Sequence, residues 1–444
     1  MTNTNPVRST LIAAASLGAL VAMSACSSGA ATTSAAPAGG GTNTSAECAA
    51  FASYGDLKGK TITVYTSIAS DAEAKPHIDS YKPFEKCTGA TVKYEGSREF
   101  ETQLPVRIKA GSAPDIAYIP QPGLLATLVK NNPGKVIEVG AAASKNLDEL
   151  YNKAWRSYGT VDGKLYAIPV GANAKSFVWY SPTKFKEKGY TVPKTWDELI
   201  ALSDKIAADN PTAKPWCAGF ESGSATGWPG TDWVEDMMLR TGTPEDYDAW
   251  VKHTIAFNDP KVIAAFDMAG SILKNDKYVN GGLGDVKSIA TTPFTDAGFP
   301  ILEGKCFLHR QASFYQDNWA TAKKDVKVAE DGDIWAFYLP GKTADVMPLL
   351  GGGEFAAAFN DRPEVKAFQA YLTSPEWSNA KAKATPNGGW LSANKKLDPA
   401  NLAKPIDQLS FKLLTDDKTV FRFDGSDLMP GAVGSGSFWK GMTD

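Results

Sequence analysis

An indole at Trp228 lies between a glycine-rich stretch containing Gly223 and Gly227 and the turn formers Pro229-Gly230, and a carboxylate follows at Asp232. A loop of that kind can turn a flat apolar face and a strong acceptor toward one cleft. The pair suits a polyhydroxylated ring, which offers a C–H face and a rim of hydroxyls. Each residue also has a plainer reading: Trp228 as core, Asp232 as the N-cap of a helix starting at Trp233. Ser97 and Arg98 follow the extended segment Thr91 to Gly96, Gln121 follows Asp115 to Pro120, and Asn173 follows Leu165 to Val170. Ligands of open α/β sheets bind at such carboxyl ends of strands, although Arg98 also reads as an ordinary surface charge. Phe314, Tyr315, Asp317 and Trp319 form a further polar and aromatic group, and Trp390 after Asn387-Gly388-Gly389 is another indole able to serve as a platform.

The same carboxylates raise the question of hydrolysis. Asp232, Glu235, Asp236 and Glu354 could pair as acid and base, because glycosidase carboxylates have no fixed sequence spacing. Other catalytic signatures are missing. Gly341-Lys342-Thr343 has Ala336 where a P-loop needs glycine, and neither G-x-S-x-G nor a helix-opening G-x-G-x-x-G occurs. With only His77, His253 and His309, and no C-x-x-C or H-x-x-x-H spacing, no zinc site or other cofactor is expected.

These groups need a scaffold, and the scaffold reads as α/β. The β-rich runs Thr61 to Ser67, Thr91 to Gly96 and Asp115 to Pro120 are spaced for crossover helices, supplied by Gln103 to Ala110 and Gly123 to Lys130. Leu165 to Val170 and Phe177 to Ser181 begin a second set. Thr195-Trp196-Asp197-Glu198 predicts a capping box, and Asp259-Pro260 opens a helix with Val262, Ile263, Phe266, Ala269 and Ile272 or Leu273 facing inward. Trp335 to Pro340 returns to strand, and helices are predicted for Pro363 to Leu372 and Pro375 to Lys383. A net charge of −3 leaves no basic footprint for nucleic acid.

The first residues set the compartment. Arg8, an apolar run from Leu11 to Met23 and the small residues after it read as a secretory signal over 1–25; Ser24-Ala25-Cys26 resembles the lipobox of bacterial lipoproteins, which implies Cys26 as the lipidated mature N-terminus. Met23 departs from the leucine usual three places before a lipobox cysteine. Residues 26–47 are mostly Ser, Ala, Gly and Thr and read as a tether. In an oxidising compartment Cys48, Cys87, Cys217 and Cys306 favour two disulfides. Of three connectivities, 48 with 87 and 217 with 306 is preferred, since Cys48 and Cys87 lie in the first lobe and Cys217 and Cys306 bracket the middle of the chain.

Several segments also carry a family resemblance. Tyr94 to Gly123, with its Gly111-Ser-Ala-Pro-Asp115-Ile, resembles family 1 extracellular solute-binding proteins. Pro215 to Trp250, Gly351 to Leu372 and Arg422 to Met442 resemble their α-glucoside-binding branch. The resemblance implies a two-lobe, type II periplasmic-binding fold with the ligand cleft between the lobes. It also implies a monomer that delivers a small carbohydrate to ABC permease subunits with their ATPase. It places the glycine loop at the cleft, making Gly352 and Gly353 points of close approach and Glu354 an acceptor. Lobe 1 is expected to take 48–160 plus about 306–355, and lobe 2 about 161–305 plus 356–444. The readings to weigh against this receptor are a secreted glycoside hydrolase and a surface sugar sensor or adhesin working without an importer.

Overall fold

The computed structural model describes residues 45–444 apart from Asn152 and Asp417. The signal segment, Cys26 and most of the tether lie outside the described residues. Ala46 and Glu47, expected to end the tether, instead open a 3-10 helix, Ala46–Tyr54. No helix among the described residues is long and apolar enough to cross a membrane.

The first lobe is built on a five-stranded sheet. Strand Thr61–Thr66 pairs in parallel with Thr91–Gly96 on one side and Ile116–Ile119 on the other. The connections are helical, Asp71–Thr88 and Phe100–Lys109, as the spacing predicts. Phe355–Ala358 then joins antiparallel to Ile116–Ile119, and Ala167–Pro169 closes the edge. The second lobe is built on a four-stranded sheet in which Trp335–Tyr338, Phe177–Tyr180, Cys306–Arg310 and Lys214–Cys217 lie side by side in that order. A three-stranded sheet lies where the chain passes between the two: Asn173–Ala174 on the way out, Met347–Gly352 on the way back, and Thr419–Phe423 beside it.

The segment exchange therefore runs opposite to expectation. Residues 306–355 do not complete the first lobe, since Cys306–Arg310 and Trp335–Tyr338 pair with second-lobe strands. Conversely Phe355–Ala358 enters the first sheet, and Val365, Phe368 and Trp377 pack into the first-lobe core. Only the end of the chain rejoins the second lobe, with Ile406, Met429 and Phe438 in its core. The Cys217–Cys306 bridge joins the neighbouring strands Lys214–Cys217 and Cys306–Arg310 within the second lobe. Both bridges are present, Cys48–Cys87 and Cys217–Cys306.

Two local expectations shift by one position. Thr195 does cap helix Trp196–Asp209, its hydroxyl accepting from the Glu198 N–H at 3.3 Å. The Glu198 carboxylate, however, accepts from Lys194 N–H at 2.7 Å, one residue too early for a capping box. In helix Pro260–Leu273 the buried stripe is Val262, Ala265, Ala269, Ile272 and Leu273, with Phe266 half-buried at its side and Ile263 beyond its edge, 45% exposed.

Candidate functional site

The floor of the interlobe cleft is made by two antiparallel backbones, Ala172 to Lys175 and Gly351 to Glu354, with Gly352 opposite Asn173. Close approach explains the glycines, though not in the expected sense. A Cβ at Gly351 would sit 2.3 Å from the Phe421 ring, and one at Gly353 would sit 2.2 Å from the Gly171 carbonyl oxygen. Their freedom serves packing of the floor. Gly353 and Glu354 reach the cleft, whereas Gly352 ends the strand beneath it.

The second-lobe wall carries Trp228 at the first turn of helix Trp228–Thr241. Gly227 before it has φ +107°, and a Cβ there would meet the Trp439 carbonyl oxygen at 1.9 Å, so the turn demands glycine. The Trp228 ring is half-buried, 5.1 Å from Phe294, 6.0 Å from Phe314 and 5.1 Å from the Lys175 Nζ. The first-lobe wall brings Gln121, Glu73 and His77, and the third side brings Asp317, Lys381 and Trp390. Burial lowers the Lys381 ammonium to about 8, against the opposing pull of Asp317, Glu354 and Glu73. Burial likewise raises the Glu354 carboxyl above its ordinary value.

Four polar atoms in this lining are buried without a partner: Gln121 Oε1, Asn173 Oδ1, Asp317 Oδ1 and His77 Nδ1. The two amide oxygens can only accept a hydrogen bond. Native interiors rarely leave such groups unmatched, so their convergence on one cleft calls for a ligand rich in hydroxyl donors.

Asp232 is displaced from the cleft by the same helix that presents Trp228. Pro229 to Arg240 are all buried, so the helix has no solvent face and its charges pair inside the lobe. Asp232 accepts from Lys175 Nζ at 2.9 Å and from Arg310 Nη1 at 3.0 Å. Asp236 accepts from Arg310 Nε at 2.9 Å and Arg240 Nη1 at 2.8 Å. Glu235 accepts from the N–H groups of Gly425 and Ser426 at 2.9 and 2.8 Å, at the start of a short helix. Asp232, Glu235 and Asp424 gather within 4.8 Å, and their positive charge is supplied by Lys175 and Arg310. Burial opposes the Lys175 ammonium, but Asp232 and Asp424 hold its pKa well above the usual value. No acid and base pair for hydrolysis remains among Asp232, Glu235 and Asp236, since all are committed to these contacts.

Tyr315 and Trp319 are also core rather than lining. Both are fully buried and pack on Trp179 at 6.1 and 5.9 Å. Their neighbours Phe314 and Asp317 do line the cleft.

Ser97 and Arg98 are at the strand end predicted for them, yet they face the opposite lobe at the cleft mouth. Arg98 Nη2 donates to both Glu221 oxygens, at 2.6 and 2.5 Å. The Arg98 carbonyl accepts from Ser224 N–H at 3.1 Å and Ser224 Oγ at 3.0 Å. Ser97 Oγ accepts locally from Glu99 N–H at 3.2 Å. Burial pushes the Glu221 carboxyl up, but Arg98 and the Gly223 N–H together bring it below its ordinary value. This latch joins the two lobes. Arg98→Ala is expected to speed ligand release about two- to fivefold in low salt and hardly at all in 0.5 M salt, where an exposed pair is screened anyway. Stopped-flow release rates at about 0.05 and 0.5 M salt test this, and an equal effect at both would remove the electrostatic role.

Sequence reasoning missed Glu73, His77, Lys175 and Lys381. The carboxyl-end rule that nominated Ser97, Gln121 and Asn173 applies equally to Thr61–Thr66 and points to Ser67, which lines the cleft a few residues before Glu73. Lys381 had no such signal, being one of two lysines on helix Pro375–Lys383.

The sequence profile of the bacterial extracellular solute-binding protein family matches residues 61–379. The osmoprotective compounds-binding protein GgtB of Synechocystis sp. is 40% identical over 394 residues, 88% of this chain and 89% of that protein. The alpha-glucosides-binding periplasmic protein AglE of Rhizobium meliloti is 39% identical over 411 residues, 90% of this chain and 86% of its own. Among solved structures, a chitin oligosaccharide binding protein superposes with TM-score 0.66 at 19% identity, covering 86% of this chain and 97% of that one. Maltose-bound T. maritima MalE3 superposes with TM-score 0.62 at 17% identity, covering 86% and 98%. The structural likenesses establish the two-lobe fold. Together with a family profile spanning both lobes and two relatives that align along most of their own length, they place the chain in the bacterial extracellular solute-binding protein family, whose members are receptors rather than enzymes.

Proposed function

We propose that the protein captures a small carbohydrate, an α-glucoside or other short oligosaccharide, in the interlobe cleft and delivers it to the permease subunits of an ABC importer. The observation that carries this is the set of unpaired buried acceptors, Gln121 Oε1, Asn173 Oδ1 and Asp317 Oδ1, beside the indoles of Trp228 and Trp390. Hydroxyls supply the missing donors, and the indoles take the C–H faces. A relative named for α-glucosides supports a carbohydrate ligand. A thermal-shift panel of glucosides, short oligosaccharides and glycosylated polyols tests the reading. A ligand at 100 times its Kd stabilises by about 2.7 kcal/mol, enough to see. Protein-dependent glucose release from maltose or sucrose, abolished by Glu354→Gln, would instead favour a hydrolase.

The receptor works outside the cytoplasm, and Cys26 with the stretch after it suits a lipid anchor and tether that hold a monomer near its permease. Cys26→Ala is expected to move the protein from the membrane to the soluble fraction. Unchanged membrane fractionation would reject the anchor.

A further inference from the structure

A backbone carbonyl of each lobe rests against a glycine of the other. Gly123, the second residue of helix Pro122–Asn131 in the first lobe, faces Met429, and Gly223 in the second lobe faces Arg98. A methyl on Gly123 would overlap the Met429 carbonyl oxygen, and would lie 2.7 Å from the Met429 carbonyl carbon and 3.1 Å from the Leu428 oxygen. One on Gly223 would stand 2.5 Å from the Arg98 carbonyl oxygen and 2.9 Å from the Arg98 Cβ. In both cases the nearest heavy atoms beyond the chain neighbours belong to the opposite lobe. Its own helix does not ask for glycine at 123, since alanine is the better helix former.

Each side of the Gly123 contact is fixed to its own lobe. Leu124 and Leu125 beside it pack with Ile119 in the first-lobe core. Met429 is 2% exposed in the second-lobe core. The turn before Met429 is held by Glu235, which accepts from the Gly425 and Ser426 N–H groups at 2.9 and 2.8 Å, and by the Trp439 indole N–H, which donates to Ser426 Oγ at 3.1 Å. Neither side can yield the width of a methyl without repacking a core. Both sides also run directly into the cleft, through Gln121 just before the helix and Asp427 just before Met429. Two-lobe binding proteins close on a ligand by rotation about a hinge, so a backbone contact between the lobes bounds how far that rotation goes.

We infer that Gly123 sets the closed spacing of the two lobes, with Gly223 as its counterpart, and so determines how long a ligand is retained. A side chain at position 123 acts as a wedge: each lobe still folds and the cleft still admits a ligand, but the lobes stop short of full closure. Gly123 is thus a positioning residue. The inference rests on the receptor reading of the cleft and not on which solute fills it.

The Ser224 amide reports closure without any ligand, because its N–H bonds across the lobes to the Arg98 carbonyl at 3.1 Å. Hydrogen exchange at Ser224 and a melting curve, compared for the wild type and Gly123→Ala, test the inference. The variant is expected to melt no earlier than the wild type and to exchange Ser224 on the order of 10-fold faster. Stopped-flow release of maltose, trehalose and sucrose supplies the second readout: a sugar that the wild type holds should leave the variant about 10-fold faster and bind it correspondingly more weakly. Unchanged exchange at Ser224 overturns the inference. So does early melting, which would make Gly123 a packing position within one folding unit, and release at the wild-type rate, which would separate the contact from retention. A wild type that binds none of these sugars, while Ser224 still exchanges faster in the variant, overturns the carbohydrate reading and leaves the wedge standing.

Discussion

Replacing Arg310 by methionine is expected to cost about 3–5 kcal/mol of stability, the loss seen when one partner is removed from a buried charge pair. Its side chain is fully buried on strand Cys306–Arg310 and bridges two carboxylates of the neighbouring helix, Asp232 and Asp236. Asp236 would keep Arg240 and Asp232 would keep Lys175, but each would lose hydrogen bonds that no water can replace inside the lobe. Arg310→Lys should recover only part of the loss, because a single ammonium cannot reproduce a fork that spans both acids. Urea unfolding of the three proteins measures this. A loss below about 1 kcal/mol for Arg310→Met would mean that these carboxylates do not depend on the guanidinium.

The second large effect concerns the ligand. Trp228→Ala is expected to weaken binding by about 2–4 kcal/mol, the range for a buried aromatic anchor, while the protein stays folded. The ring is half-buried at a helix start and touches Phe294 and Phe314, which are themselves cleft residues, so its removal opens the ligand site rather than a lobe core. Calorimetry beside a melting curve separates the outcomes. If the variant unfolds, Trp228 is core; if it binds every sugar as the wild type does, Trp390 and Trp439 carry the stacking instead.

Local chemistry made much of the fold readable. Thr91 to Gly96 forms a strand with the predicted bounds, and Pro363–Leu372 and Pro375–Lys383 are helices from proline to last apolar turn, because N1 proline fixes the start. Membership of residues 306–355 was not readable from pattern, since strands 306–310 and 335–338 both pair with Phe177–Tyr180, more than a hundred residues away. Gln121, Asn173, Trp228, Phe314, Gly353, Glu354 and Trp390 all reach one cleft; strand ends or glycine turns had marked all but Phe314, which a polar and aromatic group had marked. Asp232 did not, because helical spacing tells which residues share a face but not which face of a wholly buried helix looks toward a ligand. Arg98 stands at the right strand end, yet its reach across the cleft depends on the other lobe.

The placement of Lys175 divides the cleft into parts that can and cannot be rewritten. Lys175 lines the cleft, yet its ammonium also neutralises Asp232, which in turn shares Arg310 with Asp236. Exchanging Lys175 to suit a new substrate therefore disturbs the foundations of the second lobe. Phe294 and Phe314 carry no such obligations: both are half-buried, and each borders the same indole. Divergence of specificity among proteins built this way, in nature or in a directed-evolution library, should accumulate at the two phenylalanine positions and spare the lysine.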